Sequence, residues 1–149
     1  MAVTKASAAP AGTVLAFDFG TERIGVAVGE TELGVAHPLA TVSNRAVAEC
    51  FRAIDALIIE WRPALLLVGL PTHADGTPHA MTARARRFAR QLEGRFALPV
   101  AFTDERFTTR AASSALRDAA VPARGRKGAR DAVAAQLILQ DYLDRRLAS

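Results

Sequence analysis

The sequence has little cysteine and no long apolar run, and both absences restrict what the chain can be. Cys50 is the only cysteine among 149 residues, so an internal disulfide is impossible. No stretch approaches the ~18 consecutive apolar residues that a membrane-spanning helix needs. The first thirteen residues also lack the apolar segment of a secretory signal. We therefore expect a cytoplasmic protein with no membrane partner.

Several common catalytic motifs are missing as well. The three histidines, His37, His73 and His79, have no metal-ligand spacing with Cys50, which argues against a zinc site. The sequence contains neither the Gly-x-Ser-x-Gly turn of serine hydrolases nor a Walker-type phosphate loop. Any catalytic chemistry must therefore come from other residues.

Composition and length indicate one globular domain. Half of the residues are hydrophobic and 23% are charged, which is typical of folded proteins rather than disordered or fibrous ones. A chain of this length is suited to one core. Because the first residues are small and polar, we expect residues 1–13 to form a flexible N-terminal tail and residues 14–149 to form a single domain.

The order of apolar patterns predicts an α/β fold. Residues 14–20 and 24–29 indicate a β-hairpin, and a third strand is expected within 34–42, interrupted near Pro38. The remaining expected elements are a helix over 45–61, a buried strand over 64–71, a helix from Thr77 and Pro78 to Gly94, a strand over 98–105, a helix from Thr108 or Thr109 to about Ala119, a loop over 121–130 and a last helix over 131–146.

Positive charge is concentrated in the second half of the chain. The net charge is +4, and the segment from Arg84 to Arg130 contains twelve Arg and Lys but only four Asp and Glu. Such a segment favours a polyanionic partner, because basic side chains release counterions from phosphates. Arg86, Arg87 and Arg90 are expected on one side of their helix. A solvated helix face is the simpler explanation for any single arginine.

Three carboxylates occur where the pattern otherwise indicates an interior. Asp18 lies within an apolar strand, Glu105 ends another strand, and Asp131 starts the inward stripe of the last helix. Each has an ordinary explanation by itself. Asp18 could end a strand, Glu105 could pair with Arg106, and Asp131 could cap its helix.

Taken together, the three carboxylates predict a metal site. Clustered carboxylates repel one another unless cations hold them together. Oxygen ligands of this kind favour Mg²⁺ or Mn²⁺, and two such ions can promote hydrolysis of a phosphodiester.

Several short motifs, in order, resemble those of the YqgF/RuvX family of bacterial RNase H-like nucleases. They are FDFGTERIGVAV, a VGLP turn followed by DGT, TARARRFA, DERFTT and KGARDAVAAQLIL, and they span roughly residues 14–143. The resemblance implies an RNase H-like fold with a mixed five-stranded sheet flanked by helices. It also implies that Asp18, Glu105 and Asp131 are the catalytic and metal-binding triad.

We expect the site to act through two metal ions. Asp18 would bridge two Mg²⁺ or Mn²⁺ ions, and Glu105 and Asp131 would each complete one shell. Arg106 and Lys127 would neutralise phosphates of the nucleic acid, and Gly20 would let the backbone approach the substrate. We also expect Arg23 to bind the substrate.

The family carries two roles, and the residues do not choose between them. One role is maturation of the 5′ end of 16S ribosomal RNA, which the resemblance favours. The other is resolution of Holliday junctions, four-way DNA structures whose symmetric cleavage would call for a homodimer.

Two further interpretations stay open. One is a non-catalytic nucleic-acid binding module, although such a protein has no electrostatic reason to keep three carboxylates near phosphates. The other is a kinase or ATPase, because Asp-x-Gly-Thr also resembles the phosphate loop of actin-like folds. Those folds use two lobes, and 149 residues provide one.

Overall fold

The computed structural model describes residues 10–70, 81–104 and 126–148. Within these ranges the elements in chain order are β1 (Thr13–Asp18), β2 (Arg23–Glu30), β3 (Ala36–Ser43), α1 (Val47–Trp61), β4 (Leu65–Leu70), α2 (Thr82–Phe96), β5 (Val100–Asp104) and α3 (Arg126–Ala148). The helix predicted from Thr108 or Thr109 to Ala119 lies outside the described residues, as do Thr77 and Pro78. β1 begins at Thr13, and the expected division into a tail and one domain stays a prediction.

The five strands form one mixed sheet in the order β3-β2-β1-β4-β5. Tight turns join the first three strands, so β1 with β2 and β2 with β3 are antiparallel. Helical crossovers precede β4 and β5, so β1 with β4 and β4 with β5 are parallel. The predicted α/β class with a mixed five-stranded sheet is confirmed.

The interruption expected near Pro38 is a bulge rather than a break in β3, because Pro38 pairs with Ala27 whereas Ala40 pairs with Val26. The strand runs through Pro38, and the register with β2 shifts between Val26 and Ala27. β3 is an edge strand, where a residue without an amide hydrogen is tolerated, and a bulge absorbs the irregularity.

Helices cover both faces of the sheet, and β1 divides its side chains between two core clusters. Leu15 and Phe17 pack in the cluster with α1 and α2. Val14 and Ala16 pack in the cluster with α3. Since side chains alternate along a strand, Asp18 belongs to the α3 face.

Two helix ends differ from the prediction. α2 continues past Gly94 to Phe96, and Ala97 ends it in the left-handed conformation with φ of 53°. α3 begins at Arg126, inside the predicted loop. Its first residues include good helix formers, and one internal glycine costs only about 1 kcal/mol. Asp131 therefore lies inside α3 and cannot be its N-cap.

The described helices do not include one that could cross a bilayer, since none is both long and apolar enough. α3 has 23 residues, but charged side chains are distributed along it.

Candidate active site at the end of β1

Asp18 is the last residue of β1, a strand whose four central residues are buried. The four residues before it, Val14 to Phe17, are entirely inaccessible, whereas Asp18 is only half-buried. The carboxylate therefore reaches the surface where the central strand ends. This position removes much of the cost of placing a charge within an apolar run.

Gly25 brings the backbone of α3 close to Asp18. It lies directly opposite Asp18 in the β1/β2 pair. A Cβ added at Gly25 would lie 1.8 Å from the carbonyl oxygen of Asp131 and 3.0 Å from the amide nitrogen of Ala132. Opposite residues of an antiparallel pair face the same side. Asp18 and the Asp131 segment are therefore neighbours on the α3 face.

Arg23 holds the Asp131 carboxylate. Its Nε donates a hydrogen bond to Oδ2 of Asp131 over 2.7 Å, and its Nη1 lies 3.7 Å from Oε2 of Glu22. The hydrogen bond to Asp131, followed by the attraction of its charge, raises the pKa of the Arg23 guanidinium. Arg23, which was predicted to bind substrate, thus places a permanent positive charge beside a predicted metal ligand.

The turn between β1 and β2 is closed by Gly20 and Asn44. A Cβ at Gly20 would lie 2.4 Å from the carbonyl oxygen of Arg23. The side-chain Nδ2 of Asn44 donates a hydrogen bond to the Gly20 carbonyl over 2.8 Å. The backbone N–H of Asn44 donates to the carbonyl of Glu22 over 2.8 Å. Gly20 therefore has an internal reason to be glycine, and its predicted approach to substrate stays a prediction. Sequence reasoning missed Asn44 because no local pattern marks it.

The other predicted site residues are described less fully. Glu105 and Arg106 lie outside the described residues. Lys127 is placed in the first turn of α3, but its side chain is not described. Across residues 10–70, 81–104 and 126–148, no three His, Cys, Asp or Glu side chains form a group that could hold a metal ion.

The described side chains offer the type of donor atom that a divalent cation binds. Asp18 and Asp131 offer carboxylate oxygens, which Mg²⁺ and Mn²⁺ prefer.

A family model described as "RuvX: Holliday junction resolvase" matches residues 12–145. The chain belongs to the RuvX family. A protein of Nitrosospira multiformis is 56% identical over 97% of this chain and 96% of the relative. One of Nitrosomonas europaea is 53% identical over 93% of each chain. Both relatives are named "Putative pre-16S rRNA nuclease".

A solved structure supports the fold. The chain is similar to T. thermophilus RuvC, solved in complex with a Holliday junction substrate, with a TM-score of 0.54 and 15% identity over 91% of this chain and 96% of that one. At this identity the likeness concerns the fold alone. The predicted RuvX family, RNase H-like fold and nuclease class are confirmed.

Proposed function

We propose that this RuvX family member is a metal-dependent nuclease that matures the 5′ end of 16S ribosomal RNA by hydrolysing phosphodiester bonds. The observation that carries the proposal is the contact of Gly25 with α3, which makes neighbours of Asp18 and the Asp131 segment. The choice of ribosomal RNA is supported by the names of two relatives that are 56% and 53% identical over nearly their full lengths.

Glu105 is the proposed third carboxylate. Because β1, β4 and β5 are mutually parallel, their carboxyl ends meet at one edge of the sheet. Asp18 ends β1 and Asp104 ends β5. Glu105 is the next residue in the sequence, and this supports the proposal that it acts together with Asp18.

Asp18, Glu105 and Asp131 would hold Mg²⁺ or Mn²⁺. When bound, such ions would supply an attacking water of lowered pKa and positive charge for the departing oxygen of the phosphodiester. The carboxylates fix where this chemistry takes place. Arg23 keeps the Asp131 carboxylate in place and offers positive charge to the substrate, and Arg106 and Lys127 would neutralise neighbouring phosphates.

Replacing Asp18 by Asn tests the proposal. The amide keeps the shape of the side chain but removes the negative charge that binds a divalent cation. We expect Asp18→Asn to retain its melting temperature and to lose cleavage down to background. The assay compares wild type and variant in Mn²⁺ on end-labelled precursor ribosomal RNA and on a four-way DNA junction. Asp55→Asn, which removes an exposed carboxylate from α1, is the matched control and should cut like wild type.

Each outcome of that assay has a distinct meaning. Cleavage of the RNA by wild type and the control alone supports the proposal. Paired symmetric cuts in the junction would instead assign a junction resolvase, and sedimentation should then detect a homodimer. Nucleic-acid binding without cleavage by any of the proteins would leave a binding module.

A further inference from the structure

A cleft lies on the side of the sheet opposite α3, between α1 and α2. Its volume is ≈ 310 Å³, at the lower end of the ~300–1,000 Å³ typical of small-molecule sites. Aromatic rings form its apolar lining. The ring centroids of Phe19 and Phe88 are 5.1 Å apart, and those of Phe51 and Phe88 are 5.9 Å apart. Val47, which is 57% exposed, extends this apolar surface to the rim.

Cationic and amide groups form the rest of the cleft. Arg84 and Arg87 are exposed on α2 and line it, and Gln91 and Asn44 add amide groups. Of the described residues that line the cleft, none is Asp or Glu. The cleft therefore combines an apolar aromatic lining, of which Phe19 is partly exposed, with positive charge, which suits a base attached to a phosphate.

Arg86, Arg87 and Arg90 are all exposed, as predicted, on the side of α2 away from its buried residues, but their surroundings differ. Arg87 joins Arg84 in the cleft, whereas the guanidinium of Arg86 lies over the ring of Phe102, 5.5 Å from its centroid. Arg90 is exposed and does not line the cleft.

The cleft adjoins the proposed catalytic edge. Phe19 and Thr21, which line it, flank Gly20, and Phe19 directly follows Asp18. Consecutive Cα atoms are only ~3.8 Å apart. Asn44 lines the cleft and also holds the turn through the Gly20 carbonyl. Asp18 faces α3 and the cleft lies on the other side of the sheet, so an RNA strand with a phosphate at Asp18 reaches the cleft by crossing the end of β1 beside Phe19.

We propose that this cleft binds one unpaired nucleotide of the substrate RNA, adjacent to the phosphate that is cut. The base packs against the partly exposed ring of Phe19, and Arg84 and Arg87 bind the flanking phosphates. A base inside a duplex has both faces stacked and cannot enter, so the cleft directs cleavage to single-stranded positions. This inference rests on the proposed function for the identity of the substrate.

Binding in EDTA tests the cleft without requiring cleavage. Fluorescence anisotropy compares a labelled 12-nucleotide single strand of RNA with the same strand in a duplex. We expect the double variant Arg84→Gln/Arg87→Gln to bind the single strand roughly tenfold more weakly than wild type. The slope of log K against log salt concentration should be smaller in magnitude by about 1.4, because each of the two lost phosphate contacts contributes ~0.7. The control Arg52→Gln/Arg90→Gln removes equal charge from exposed positions of α1 and α2 outside the cleft. It should weaken binding much less.

An abasic scan locates the base. One abasic nucleotide is moved along the RNA strand, and one position should weaken wild-type binding by about tenfold, since stacking on an aromatic ring is worth ~5- to 150-fold per base. Val47→Glu places a negative charge at the exposed rim and should remove this position dependence. Melting temperatures show whether all variants fold.

Equal weakening by both double variants, or an equal loss at every abasic position, would overturn the cleft proposal. Because no metal is present, these results are separate from catalysis. If the position dependence is found but Mn²⁺ gives no cleavage, the proposed function fails and the cleft stands. If RNA is cut but the cleft variants bind like the control, only the cleft proposal fails.

Discussion

At the scale of single residues, Gly25 has the strongest structural requirement. Because glycine has no Cβ, the backbone of α3 lies directly on β2. The carbonyl oxygen of Asp131 comes within 1.8 Å of the place where a Cβ would be. Any side chain there must push the helix away from the sheet. The same movement would separate the Asp131 segment from Asp18, so one contact serves both stability and the site.

We expect Gly25→Ala to lower the free energy of unfolding by roughly 1–3 kcal/mol or more, the usual cost of overpacking, and to reduce cleavage as well. Urea denaturation measures the first effect. Gly94→Ala is the matched control, because nothing lies within 4 Å of its added Cβ and it lies inside α2. Gly94→Ala should raise the free energy of unfolding by up to ~1 kcal/mol, because alanine favours a helix more than glycine does. Equal stability of the two variants would contradict the close packing at Gly25.

Arg23 provides a second test at this scale. Its bond to Asp131 is partly exposed, with side-chain exposures of 33% and 25%, so Arg23→Gln should change the melting temperature little. It should lower kcat by about 100-fold, as expected when a catalytic group is misplaced, and Arg23→Lys should recover part of this through its charge. Arg145→Gln breaks a comparable ion pair with Asp141 and should leave kcat unchanged. A change in KM alone would assign Arg23 to substrate binding only.

At the scale of elements, α3 is fixed to the start of β3 by glutamine side chains. Oε1 of Gln140 accepts a hydrogen bond from the Ala36 amide over 2.9 Å, and its Nε2 donates to the Gly34 carbonyl over 2.8 Å. Nε2 of Gln136 donates to the Ala36 carbonyl over 3.1 Å. These bonds satisfy backbone groups of an edge strand with a helix 100 or more residues away in the chain.

Gln140→Leu should therefore lower the free energy of unfolding by about 1–3 kcal/mol, because it leaves two part-buried backbone groups without their partners. Denaturation in urea gives the value. Glu60→Leu, at an exposed position of α1, makes a similar change without removing a backbone partner and should stay within ~0.5 kcal/mol of wild type. A loss of the same size in both variants would exclude the bridging role of Gln140.

At the scale of the whole molecule, Tyr142 links stability to alkaline pH. It is the only tyrosine and is 1% exposed. Burial raises the pKa of its hydroxyl, and the nearby Arg146 opposes this less strongly. The folded chain therefore keeps the proton to higher pH than the unfolded chain. The protonated, buried Tyr142 therefore contributes its full stability below pH ~10, the pKa of tyrosine in the unfolded chain. That contribution is lost as pH rises further, through the higher pKa of Tyr142 in the folded chain.

We expect wild type to lose stability above about pH 10, and Tyr142→Phe to lose less over the same range, because it has no proton to release. Thermal melts between pH 8 and pH 11 measure the difference. Absorbance at 295 nm should show Tyr142 ionising only as the protein unfolds. Ionisation in the folded protein at the ordinary pKa of tyrosine would contradict this prediction.

Local patterns predicted most of the secondary structure because each depends on a few neighbouring residues. The hairpin before and after Gly20 and the stripe of Ala135, Ile138 and Tyr142 are examples, and all three residues of that stripe are buried. Element ends were harder to predict. Ala97 ends α2 although Gly94 is the better left-handed residue, because continued packing of α2 outweighs that local preference.

The sequence by itself determined the family, the fold class and the identity of the three candidate carboxylates, because these are carried by motifs and by periodicities of two and 3.6 residues. Only the tertiary structure decided that Gly25 faces the carbonyl of Asp131, that Asn44 holds the turn after Asp18 and that Arg84 and Arg87 share a cleft with Phe19. Arg23 and Asp131 are 108 positions apart in the chain. Their contact depends on how a helix packs on a sheet, and no local pattern encodes that distance.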